Sequence, residues 1–215
     1  MQKLVWLNST LLAILLKPGL QYNVGKQKVI ERKEVLDMNS KLKKIVMAAL
    51  FAAFACVATM SIRIPTPGTG GYIHPGDAIV ILSGVILGPV WGLLAAGIGS
   101  AMADLLGGYF IYVPITFVIK GLIAFAAGVL YQKVGKTSKS SYAAVILGGV
   151  ADILLVAGGY FLCEIFLYGT AAALASVPAN VIQGIGGLVI SAVLYPILLA
   201  IPDIRRVAQE AKVQA

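Results

Sequence analysis

The chain has 215 residues, of which 59% are hydrophobic and 12% charged, with 17 Lys and Arg against 9 Asp and Glu. A mean hydropathy of +0.91 excludes an ordinary water-soluble domain, in which about a quarter of residues are charged and such an apolar excess would form large exposed patches. The net charge of +8 reads as basic cytoplasmic loops of an integral membrane protein and not as a nucleic-acid footprint. One histidine and two cysteines in separate apolar runs give no metal spacing and no disulfide framework. No metal or cofactor is expected.

Residues 1–37 differ from the rest. Val5–Leu16 is an apolar run too short to span, ended by Lys17-Pro18-Gly19 and followed by a polar stretch of mixed charge. Three readings stand: a signal peptide without an A-x-A site, a short interfacial helix, or a native start at Met38. The expected organisation is an extension over 1–37, a membrane domain over 38–204 and a cytoplasmic tail over 205–215.

The first span is expected at Ile45–Ile62, ended by Arg63 and Pro65. Pro75–Leu106 is ambiguous: Ala78–Met102 is one helix, or two short ones hinged at Gly88-Pro89. Charge decides between them. With one helix, Lys133, Lys136 and Lys139 fall opposite Lys41, Lys43 and Lys44; with two, these clusters and Arg205-Arg206 share one side, as basic loops prefer. The later spans are expected at Pro114–Tyr131, Tyr142–Phe161 and Val177–Ile201, with Arg63–Gly71, Gly107–Val113 and Leu162–Ser176 as outer connections. The fold class is therefore all-α, with six transmembrane helices and both termini cytoplasmic. Pro75–Leu87 would be about 20 Å long against roughly 30 Å of hydrocarbon, so one of its ends needs protein cover or a cavity. His74, Asp77 and Asp104 place that cavity at the outer face.

Lys120, inside the fourth span, either snorkels to the interface or faces a pocket and pairs with Asp77, Asp104 or a ligand. Asp77 fits both an N-cap and a pocket residue, and Asp104 fits both a loop tie and a ligand contact. Asp152 has no clear role. Tyr160 and Glu164 share a helix face, as do Asn180 and Gln183; these amides, carboxylate and tyrosines suit a small polar aromatic ligand, and equally suit interhelical hydrogen bonding. Tyr72, Tyr109 and Tyr112 lie in outer loops and fit an interface belt as well as a pocket wall. In the first span Ala48, Ala49, Ala52 and Ala53 belong to a small-residue surface, for internal packing or for docking a partner. A nucleotide loop of the form G-x-x-x-x-G-K-[ST] is absent, so uptake would need a partner or an ion gradient. No nucleophile constellation suggests an enzyme.

The run IRIPTPGTGGYIHPGDAIVILSGVILGPVWG, with GIGSAMADLLGGY and PITFVIKGLIAFAAG, resembles the substrate-binding S components of energy-coupling factor (ECF) vitamin transporters, in the riboflavin-type group that includes hydroxymethylpyrimidine and pyridoxine S components. The resemblance covers about residues 42–201. It implies a six-helix fold with an outward-facing vitamin pocket in a prokaryotic plasma membrane. It implies docking of the Ala48-x-x-x-Ala52 face on a membrane coupling protein, the T component, with two ATPase subunits supplying energy. Pocket positions of the family fall on Tyr72, Lys120, Tyr160, Asn180 and Gln183, to which the charge argument adds Asp77. A pyrimidine or pyridine vitamin is the first expectation and riboflavin the second. The rival reading is a self-sufficient secondary transporter or small channel.

Overall fold

The computed structural model describes residues 41–213; the expectations for residues 1–37 and for Met38 lie outside the described residues. Helix α1 spans Lys41–Ser61. A two-stranded antiparallel hairpin follows, β1 (Ile64–Pro65) with β2 (Tyr72–Ile73), pairing Ile64 with Ile73 and Pro65 with Tyr72. Then come α2 (Asp77–Leu87), α3 (Pro89–Gly107), α4 (Tyr112–Val134), α5 (Ser138–Tyr168), α6 (Thr170–Leu199) and α7 (Pro202–Val213).

The hinge at Gly88-Pro89 is present and divides α2 from α3. Gly88 has φ 84°, a conformation side chains resist, and Pro89 occupies the first turn of α3, where its missing N–H costs nothing. Helix α2 is apolar on all sides and sits at the centre of the bundle; every residue except Ile79 is buried, as an all-round apolar helix requires. At 11 residues it is about 16 Å long, too short to cross hydrocarbon. Its far end is covered by α7. Ile204, Val207, Ala208 and Ala211 of α7 are buried, and Gln132 of α4 donates to the Ala211 carbonyl at 2.8 Å. The segment expected as a tail from residue 205 is thus an amphipathic helix that completes the core beneath α2.

Among the described residues, five helices (α1, α3, α4, α5 and α6) are long and apolar enough to cross a membrane. Their outward faces carry Leu50, Phe54, Leu94, Ile98, Val118, Leu122, Leu154, Val189 and Val193, all exposed. In water that belt would be a severe aggregation liability; in a bilayer it faces lipid. The expected outer connection Leu162–Ser176 is a correction. It is helical except at Gly169, whose φ of 85° turns the chain between α5 and α6. No helix breaker precedes Gly169, so Leu162–Tyr168 extend α5. Pro178 lies inside α6 and does not mark its start.

Small residues set the closest helix approaches. A Cβ on Gly84 would lie 1.9 Å from the Ala124 carbonyl oxygen of α4, and one on Gly92 would lie 2.5 Å from the Gly84 Cα. On α1, Met47, Ala48, Phe51, Ala55 and Thr59 are buried, and Ala52 backs onto Gly99 of α3. Ala49 and Ala53 point outward. The small surface of α1 therefore splits into an inner half that packs the bundle and an outer half that is exposed.

Candidate functional site

Two polar stripes meet at the hairpin end of the bundle. Tyr112, Thr116 and Lys120 recur at i, i+4, i+8 along one buried face of α4. Ser176, Asn180, Gln183 and Gly187 line one buried face of α6. Between them α5 presents Tyr160 and Glu164. A cleft opens here, lined by Thr66, Gly71, Tyr72, His74, Asp104, Tyr112, Thr116, Tyr160, Glu164 and Asn180. It holds about 340 Å³ of atom-free space, counted with its open mouth.

The roof is the hairpin loop. Thr66 N–H donates to the Gly71 carbonyl at 3.1 Å, the Thr66 and Thr69 hydroxyls lie 2.7 Å apart, and Gly68 turns with φ 78°. Gly70 and Gly71 fit tightly against Tyr168, Tyr112 and Glu164: a Cβ on Gly70 would lie 2.9 Å from the Tyr168 hydroxyl. Arg63 anchors the hairpin, reaching the Ala103 carbonyl at 3.4 Å and lying over the Tyr72 and Tyr109 rings at 5.1 and 5.6 Å, within cation–π range.

The walls carry acceptors. Tyr72 Oη donates to Asp104 Oδ1 at 2.6 Å, and burial together with that carboxylate raises the Tyr72 phenol well above its ordinary value. Tyr112 Oη donates to Glu164 Oε1 at 3.1 Å, and Ser176 Oγ donates to Glu164 Oε2. The Thr116 and Tyr160 hydroxyls are 3.0 Å apart. Neither Asp104 nor Glu164 carries an ion pair among the described residues. His74 Nδ1 accepts from Gly76 N–H at 3.1 Å, so the imidazole proton sits on Nε2. Burial pushes this imidazole down to about 3, against the pull of Asp77, and keeps it neutral. Asn180 is buried, and its Nδ2 has no partner among the described residues.

Behind the cleft lies a second polar layer. Lys120 Nζ and Asp77 Oδ1 form a fully buried ion pair. Gln183 Nε2 donates to Asp77 Oδ2 at 2.8 Å, and Gln183 Oε1 accepts from His74 N–H at 3.1 Å. Lys120 also lies 5.5 Å from the Tyr160 ring centre. Asp77 therefore does not cap α2, whose N-cap has no side-chain hydrogen bond. Of the six residues expected at the site, Tyr72, Tyr160 and Asn180 line the cleft, while Asp77, Lys120 and Gln183 form the layer that supports it. Lys120 does not snorkel. The ion pair and glutamine lock the hairpin-to-α2 corner onto α4 and α6.

Sequence reasoning did not single out Thr66, Gly71 and Thr116 as wall residues, gave His74 no binding role, and left Tyr112 between an interface belt and a pocket wall. The i+4 spacing of Tyr112, Thr116 and Lys120 was a usable signal. The loop residues had none, because only the hairpin pairing turns them over the cleft.

Asp152 is buried in α5 with both carboxylate oxygens unpartnered among the described residues. It lies across Gly187, whose ideal Cβ would meet both Asp77 Cβ and Asp152 Oδ2 within 3 Å. A buried polar group without a partner costs about 1–3 kcal/mol. Asp152→Asn removes the ionisable group at constant shape, and the expected result is an unfolding temperature equal to or above that of the parent, measured in detergent without ligand. A large fall would reveal a stabilising partner for the carboxylate.

Bundle, apolar belt and polar cleft define a multi-pass membrane protein with a polar cleft at one end. A protein family described as the S component of ECF-type riboflavin transporters matches residues 39–200. The chain belongs to that family, whose members are vitamin-transport subunits and not enzymes. S components of this kind work with a T component and ATPases. Among curated relatives, an uncharacterized protein of Pyrococcus woesei is 37% identical over 144 residues, covering 66% of this chain and 92% of the relative. The thiamine precursor transporter HmpT of Lactococcus lactis subsp. cremoris (strain MG1363) is 27% identical over 161 residues, 74% of this chain and 90% of HmpT. A solved S component of a bacterial ECF transporter has the same fold, with TM-score 0.54 and 20% identity, covering 74% of this chain and 97% of that one.

Proposed function

We propose that this protein is the substrate-binding subunit for a small, flat, nitrogen-containing vitamin precursor of the hydroxymethylpyrimidine type. It captures the ligand at the hairpin end, facing outward in a prokaryotic plasma membrane. All six helices α1–α6 make up the membrane domain, with both termini cytoplasmic. A T component and two ATPases supply the energy, and the outward half of the α1 surface, Ala49 and Ala53, is the docking contact beside Ala48 and Ala52.

The observation that carries the substrate class is the lining of the cleft. Two carboxylates without ion pairs, Asp104 and Glu164, accept N–H or O–H groups; Asn180 Nδ2 is a spare donor; the Tyr72, Tyr112 and Tyr160 rings supply faces for an aromatic plane. A single ring bearing an amino group and a hydroxymethyl group matches that set. Pyridoxine matches the ring and the hydroxyls but offers fewer N–H donors. Riboflavin, with three fused rings and a polyol chain, is second because the cleft is narrow. The kinship with HmpT points the same way.

Isothermal titration of the purified chain with hydroxymethylpyrimidine, pyridoxine and riboflavin tests this. Tightest binding of the pyrimidine is expected. Asn180→Ala is expected to weaken it about 10- to 100-fold, as loss of a ligand hydrogen bond in a dry site does, with the unfolding temperature unchanged because Nδ2 has no protein partner among the described residues. Riboflavin binding more tightly than the pyrimidine would overturn the substrate assignment. Ion-gradient-driven uptake by the chain reconstituted alone would overturn the subunit role.

A further inference from the structure

A second concavity lies at the opposite, basic end of the bundle, where α4, α5, α6 and α7 meet. Its atom-free space is about 1060 Å³, counted with its open mouth. Lys136, Arg205 and Lys212 converge on it, together with Tyr131, Tyr142 and Tyr195. Two of the cations are held by neutral groups. Lys212 Nζ donates to Ser141 Oγ at 2.7 Å and sits 4.6 Å from the Tyr131 ring centre. Arg205 Nε donates to the Leu199 carbonyl at 2.8 Å, leaving its terminal nitrogens for another acceptor. None of the three has an ion pair among the described residues. The Tyr131 and Tyr195 hydroxyls, 2.9 Å apart, lie in the same concavity, as does the first turn of the 31-residue α5, whose N-terminal dipole favours an anion.

Basic residues at a cytoplasmic end are ordinary. Here three of them, two also open to water, border one hollow with no acid among its described lining residues, so the hollow is set for a multiply accepting anion. The apolar neighbours decide which source. Pro196, Leu199 and Ala200 line the hollow, and α6 carries exposed Val193 and Ile197 beside it, on the face that meets hydrocarbon. Of the tyrosines, Tyr142 is exposed at this level, as interface tyrosines are, while Tyr131 and Tyr195 are buried. A phosphate attached to acyl chains satisfies the cations and the adjoining apolar face at once; a free phosphate satisfies only the cations.

We propose that this concavity is a headgroup site for an anionic membrane phospholipid, its phosphate held by Lys136, Arg205 and Lys212. The site ties α7 to the membrane surface and so steadies the helix that completes the core under α2. It is separate from the substrate cleft and stands whether or not the vitamin assignment does.

The test is native mass spectrometry of the full chain released from nanodiscs of equal parts phosphatidylglycerol and phosphatidylcholine. One retained phosphatidylglycerol per chain is expected, in preference to phosphatidylcholine. K136Q/R205Q is expected to reduce retention about 30-fold, at roughly fivefold per charge; K136Q alone, at an exposed position, gives the smaller step in a chain with native folding. K133Q/R206Q removes the same charge from residues that do not line the hollow and is expected to keep the lipid. Equal retention of both lipids, or equal loss in the two double variants, would reduce the effect to general surface charge and overturn the site. Displacement of the lipid by millimolar inorganic phosphate would assign the hollow to a free anion. Undiminished lipid retention in K136Q/R205Q with lost binding of the T component would assign it to a protein partner. Either outcome overturns the lipid proposal.

Discussion

Lys120→Met is expected to lower the unfolding temperature by about 6–20 °C, from a cost of about 3–5 kcal/mol. The methionine keeps most of the volume of the lysine stem but leaves Asp77 charged and buried, with only Gln183 as a donor. Breaking a buried pair from one side is costly because the remaining ion has lost its counter-charge, whereas removing both charges is often close to neutral. Lys120→Met combined with Asp77→Asn is therefore expected to recover most of the loss, since the new amide carbonyl can still accept from Gln183. A thermal unfolding series in detergent, parent against single and double variants, reads this directly. A double variant no better than the single would show that the lysine stem, and not its charge, holds the layer. Substrate affinity is expected to fall less than stability in the single variant, because the pair lies behind the cleft and reaches it through Gln183 with the His74 backbone and through the Tyr160 ring.

The second large effect concerns backbone contact. Gly84→Ala is expected to abolish folded protein, or to lower the unfolding temperature by more than about 10 °C, as overpacking of a rigid site does. The added carbon would stand 1.9 Å from the Ala124 carbonyl oxygen, and neither backbone can move without parting α2 from α4. Gly92 of α3 closes on the same spot from the other side. Gly158 and Gly186 provide the contrast: a Cβ at either position meets nothing within 4 Å. Both lie inside helices, so alanine there is expected to stabilise by roughly 0.5–1 kcal/mol. Fluorescence-detected size-exclusion after heating separates the two classes. Normal stability of Gly84→Ala would mean that α2 and α4 can part at this crossing without loss of the core.

The fold was legible where a single chemical rule applied. Apolar runs near 20 residues located the long helices, and the basic clusters at Lys41–Lys44, Lys133–Lys139 and Arg205-Arg206 were enough to split α2 from α3 at Gly88-Pro89. The boundary of α5 was missed because Leu162–Tyr168 contains both polar and aromatic residues and looked like a loop. Its periodicity placed Glu164 on the buried face, and Gly169 was the real break. The role of α7 was missed because a charged 12-residue segment after a proline reads as a tail until its four apolar positions meet an exposed helix end.

The site divides in the same way. Tyr160 with Glu164 and Asn180 with Gln183 were visible as shared faces, since helical spacing needs no tertiary information. Whether each residue meets the ligand or its neighbours was not visible, because that depends on depth. Asp77, Lys120 and Gln183 lie one layer behind the residues that line the cleft.

Composition and charge order by themselves determine that this chain is a helical membrane protein with basic residues clustered at one end. Burial of apolar length and exclusion of charge from hydrocarbon act on local sequence, so they can be read locally. Only the tertiary structure decided that α2 is central and capped from below by α7, that the ion pair supports the cleft from behind, and that the hairpin loop roofs it. Those outcomes rest on contacts between residues such as Asp77 and Lys120 or Gln132 and Ala211, 43 and 79 positions apart. Their energies depend on close approach, which glycines at Gly84, Gly92 and Gly187 permit and no local pattern encodes.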